Sequence, residues 1–176
     1  MRWFVFAGFV FVMLAMQQGF ASLLEIGGVR PNLLLIVAAY IALAAPPATA
    51  RWAAMVLGLL VDLTDPYFVV AGASHAGVVL IGPAALGFLA GAVVVVELRG
   101  LMFRDSPVSL PVIVFIKGIF VSLVIVALLS LRCLVWGQGD ALGTFSAADE
   151  LVYRFWQLLY TAAVAFPLGL VLISLD

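Results

Sequence analysis

The chain has 176 residues, 66% of them hydrophobic and only 10% charged, with a formal net charge of -1. A soluble domain carries about 25% charged residues, so this chain has too few charges to solvate a globule and lipid is its expected solvent. The small net charge excludes a nucleic-acid footprint, and the single Cys133 excludes an internal disulfide or a cysteine-based metal site.

Residues 3 to 24 are uncharged and mostly apolar. At about 1.5 Å per residue they reach roughly 33 Å, enough for a first span. A cleaved signal peptide is the rival reading, since Arg2, an apolar core and small residues around Gly19 to Ser22 fit that plan. The apolar character of everything downstream favours a retained span.

The second run starts at Pro31, a residue suited to the first position of a helix. Pro46 and Pro47 end it in a tight turn. Asn32, at the entry, is placed to satisfy a backbone donor or an interhelical partner. Tyr40 follows two turns further in on the same side, where packing is favoured over a binding role.

The third run begins near Ala48, and only ten residues separate Arg51 from Asp62. Either the element is re-entrant, or Asp62 lies inside the membrane envelope and the helix continues to about Asp65. Ala50, Ala54, Gly58 and Asp62 recur every four positions and share one helix face. Small residues at that spacing let helices approach closely in lipid, which turns Asp62 toward protein.

Asp65 and Pro66 mark a break, after which Gly72, Ser74 and Gly77 suggest a loop or re-entrant piece. A helix is expected from about Ala76 to Glu97, kinked at Pro83. It holds Gly87 and Gly91 in a GxxxG pattern, a candidate partner-binding or helix-packing face together with Ala50, Ala54 and Gly58. A charged turn follows, and Ser106 and Pro107 then suit the start of a fifth run, residues 107 to 131. Only Lys117 interrupts it. After a polar connector, Ser146 and Asp149 resemble a capping box, and the last run reaches residue 175 with Pro167 inside it.

The expected fold is an all-α integral membrane protein, one transmembrane domain over residues 1–176. Its six spans lie near 3–24, 31–46, 48–65, 76–97, 107–131 and 150–175. Five spans plus a re-entrant segment is the alternative. Six spans put both termini on one side, with Arg2, Arg51, Arg99 and Arg104 there and Arg30, Arg132 and Arg154 opposite. That balance favours cytoplasmic termini.

No connector is long enough to hold a catalytic domain, so chemistry would have to come from intramembrane polar groups. Lys117 has two readings: an ion, proton or ligand contact, or a structural pair with Asp62 or a snorkelling chain. The structural reading is favoured, because no second transport-like charge accompanies it. Asp62, Asp65 and His75 form a permissible ligand set for a metal, yet no HExxH or dense acidic pattern is present. The favoured role for the acids is capping the third helix and organising the loop after it, and His75 reads as a loop or interface residue. No enzyme, metal or cofactor is expected.

Several of these stretches together resemble the MreD family of rod shape-determining membrane proteins. They are RPNLLL at 30 to 35, Tyr40, GLLVD at 58 to 62 with a Gly-rich segment after it, GFLAG at 87 to 91 and FRDSP at 103 to 107. The resemblance covers roughly residues 25 to 120. The family usually carries Asp where Asn32 stands, and often an Asn-containing segment where His75 stands.

The resemblance implies a non-enzymatic scaffold of the cell-elongation complex in the bacterial inner membrane. Such a protein binds MreC and links MreB filaments to peptidoglycan synthesis by RodA and a penicillin-binding transpeptidase. It also implies a likeness to the substrate-binding subunits of energy-coupling-factor transporters, which supplies the alternative function, a vitamin-like small-molecule binder. A pocket of that kind needs several convergent polar groups, and only scattered ones are visible here.

Overall fold

A computed structural model describes residues 3–20, 23–64, 67–71, 74–78, 80–100, 108–136 and 146–173. Six helices and one short hairpin make up the described chain. They are α1 (Trp3–Phe20), α2 (Leu33–Ala44), α3 (Pro47–Thr64), β1 (Tyr67–Ala71), β2 (Ser74–Val78), α4 (Pro83–Leu98), α5 (Ser109–Trp136) and α6 (Ala147–Ile173).

The centre of the fold is its shortest helix. α2 packs against α1, α3, α4, α5 and α6. Nine of its 12 residues are buried, from Leu33 to Ala39 and then Ile41 and Ala42. A helix apolar on every side has no face to give to water, so it belongs inside. α3, α4, α5 and α6 pack each against the next in a row, and α2 lies against all four. α4 and α5 run antiparallel, since Gly87 lies against Val121 and Gly91 against Lys117.

Two expectations change. Residues 76–78 and 80–82 are not the start of the fourth helix. Tyr67–Ala71 and Ser74–Val78 pair as an antiparallel hairpin, with Val70 opposite His75. α4 starts only at Pro83, which sits at the first helical position instead of kinking a helix already under way. The residue before it, Gly82, adopts a φ of 126°, a backbone shape that breaks any helix reaching it. α3 is continuous for 18 residues through Asp62 to Thr64.

Among the described residues one stretch is both long and apolar enough to cross a bilayer. It is Ser109–Val135 of α5, 27 residues that hold an 18-residue window of mean hydropathy 2.9. α5 runs to Trp136, past residue 131, where its span was expected to end. α2 and α4, at 12 and 16 residues, are only about 18 Å and 24 Å long, short of the roughly 30 Å hydrocarbon core. Helices this short leave N–H and C=O groups unpaired at their ends, which other parts of the chain have to satisfy where water is absent.

Candidate functional site

Two of the polar residues singled out in the sequence, Asn32 and Asp62, are found at helix ends. The N-terminus of α4 is the clearest case. Its first turn offers N–H groups from Gly82, Ala84 and Ala85, while Pro83 has none to offer. Gly82 stands at the capping position without a side chain. Asp62, near the end of α3, takes that role from the neighbouring helix. Its Oδ2 accepts from Gly82 N at 2.8 Å and from Ala85 N at 3.2 Å, and its Oδ1 accepts from Ala84 N at 2.9 Å. The carboxyl is fully buried. Charge-assisted bonds and the positive end of the helix dipole offset the loss of water around it.

Asp62 reaches α4 because α3 comes so near. Ala50, Ala54, Gly58 and Asp62 are all buried on one face of α3. A Cβ placed on Gly58 would lie 2.5 Å from Ala85 Cα and 2.6 Å from Ala84 O. Glycine thus sets the helix spacing, and one turn later the acid uses it.

The N-terminus of α2 is held by its own cap and by two other helices. Asn32 caps it in the usual way, its side chain accepting from Leu35 N at 2.9 Å. Gln17 of α1 accepts from Leu33 N at 2.8 Å and donates to Pro31 O at 3.3 Å. Thr161 of α6 accepts from Asn32 N at 3.0 Å and donates to Gln157 O at 2.6 Å. Two more α6 side chains hold the segment before α2: Gln157 donates to Arg30 O and Tyr160 to Leu24 O. At the other end of α2, Arg99 donates to Ala45 O at 2.7 Å. Gln17, Gln157, Tyr160, Thr161 and Arg99 were not singled out in the sequence. The available signal was polar side chains in otherwise apolar runs, and what it could not supply was the partner.

This cluster yields a direct test. Thr161→Val keeps the shape of the side chain but strands the Asn32 N–H. It is expected to cost about 1–2 kcal/mol. Asn32→Ala removes an ordinary cap and is expected to cost about 1 kcal/mol. Thermal unfolding in mild detergent reads both, and an unchanged midpoint for Thr161→Val would show that the N–H finds another acceptor.

Gly87 and Gly91 are buried against α5 and so form no open face for a partner. A Cβ on Gly87 would meet Val121 O at 3.0 Å, and one on Gly91 would meet Lys117 Cγ at 2.8 Å. Lys117 is fully buried, its Nζ 5.4 Å from the centroid of the Phe88 ring. It does not pair with Asp62: among the described residues Nζ has no hydrogen-bond partner. Burial also removes snorkelling as its role.

The remaining candidates do not converge. Tyr40 is exposed on α2. His75 lies in β2, with its side chain outside what is described, and Asp65 lies outside the described residues. The carboxyl of Asp62 is committed to backbone N–H groups. Among the described residues no three His, Cys, Asp or Glu side chains come together. Compared with known proteins, the chain matches no family model, no curated protein and no solved structure.

Proposed function

We propose that the chain is a multi-pass scaffold of the bacterial inner membrane, acting in cell elongation as the MreD family it resembles does. On this reading it binds MreC and joins MreB filaments to RodA and a penicillin-binding transpeptidase. The observation that carries the proposal is how the motif residues are used. Asn32 of RPNLLL caps the helix it opens, and Asp62 of GLLVD and the two glycines of GFLAG fix one helix against another. A chain whose polar positions hold its own architecture suits a rigid platform for partners.

Two features support the membrane part. The ends of the short helices are served by side chains, as an interior without water requires. The outer surface carries large apolar side chains, among them Phe11 at 75% exposure, Leu134 at 82% and Trp156 at 55%. Lipid or partner helices are the natural cover for such a surface.

Affinity capture tests the partner. The tagged chain is co-expressed with MreC from the same organism and recovered from membranes in mild detergent. Co-recovery of MreC is expected, and it should survive substitutions at Tyr40 and be lost in variants that unfold the bundle. A folded chain that retains no MreC would overturn the proposal.

A further inference from the structure

Lys117 stands apart from the helix-end contacts. Its ammonium carries three donors, and Nζ is buried with no hydrogen-bond partner among the described residues. An ammonium taken out of water is held there by a counter-charge, and without one the amine gives up its proton. The Phe88 ring supplies only its face. Asp62, the buried acid among the described residues, serves the N-terminus of α4.

The position is also built. Gly91 leaves a slot through which the lysine stem passes, since any Cβ there would press on Lys117 Cγ. The Val121 side chain lies against Gly91 as well, and Val121 is buried and apolar. Gly87 and Gly91 bring the α4 backbone against α5, which limits what could fit beside the amine.

We propose that Lys117, Gly91 and Phe88 form a site for a compact anion, a halide or a small carboxylate, held on Nζ between α4 and α5. This goes beyond the scaffold reading and does not depend on it. The occupant is small because the two backbones are close, and anionic because Nζ has no hydrogen-bond partner among the described residues.

The test uses the purified full chain in neutral detergent. Its four tryptophans report thermal unfolding. Sodium chloride and sodium formate are titrated against sodium gluconate, a bulkier anion, at matched sodium. A saturable rise in midpoint with chloride or formate is expected for the wild type, as for any ligand that binds only the folded state. Lys117→Met and Lys117→Gln are expected to flatten it, with affinity reduced at least about tenfold. Two neutral variants are used so that a folding failure in one leaves the other readable. Equal midpoints in all three salts, or the same rise in the neutral variants, would overturn the proposal.

Discussion

Asp62→Ala is expected to lower the stability of the bundle by about 3 kcal/mol or more. The carboxyl accepts three backbone N–H bonds at a fully buried position, and alanine replaces none of them. Each buried donor left without a partner costs about 1–3 kcal/mol, and water entering the vacated space returns part of that. Folded proteins hold only about 5–15 kcal/mol in total, so the loss is large. Asp62→Asn is the sharper comparison. Its amide keeps one acceptor oxygen but turns an NH₂ group toward donors that already need acceptors. It is therefore expected to fall between wild type and alanine. Asp149→Ala, at an exposed position in the first turn of α6, is expected to change stability by less than about 0.5 kcal/mol. Midpoints from tryptophan fluorescence in one detergent rank the three. An Asp62→Ala midpoint equal to wild type would remove the helix-end role.

How much of this was legible depends on how far apart the partners lie. The four-residue spacing from Ala50 to Asp62 is local, and it correctly turned Asp62 inward. The capping roles of Asn32 and Ser146 are local too, and both side chains accept from the backbone three residues on. The bond from Thr161 to Asn32 joins residues 129 apart, and Arg99 reaches back 54 residues to Ala45. Nothing in either stretch names the other. The acceptor for α4 was misplaced for the same reason: Asp62 was read as serving its own helix, and it serves the next one.

The hairpin was missed on different grounds. A short apolar run such as YFVVA has no period that separates strand from helix, so residues 67 to 78 carried no decisive signal. Pro83 then allowed two readings, a kink or a first helical residue. Gly82 decides between them through a backbone angle that composition does not reveal. The lysine was the reverse case. Its depth along α5 was readable from the run around it, but the lack of a hydrogen-bond partner for it among the described residues was not.

The glycine that sets the α3–α4 distance gives the second large effect. Gly58→Ala is expected to destabilise the bundle by about 1–3 kcal/mol, the usual range for overpacking, even though alanine is the better helix former by about 1 kcal/mol. The added methyl would meet Ala85 Cα at 2.5 Å, Ala84 O at 2.6 Å and Ala84 C at 2.9 Å. All three are backbone atoms, which no rotamer change can move aside, so the helices must separate. At Gly118 the intruding neighbour is the Leu158 side chain, which can turn away, and the corresponding alanine is expected to be much milder. Separation at Gly58 also stretches the Asp62 bonds one turn further on, the 3.2 Å bond to Ala85 N first. The two sites therefore share one mechanism. The double variant Gly58→Ala with Asp62→Asn should cost less than the sum of the single changes, because the first already loosens what the second removes. Midpoints of the two single variants and the double variant close that cycle. Strict additivity would separate the spacing from the cap, and a Gly58→Ala midpoint at or above wild type would mean that α3 and α4 do not meet as closely as 2.5 Å requires.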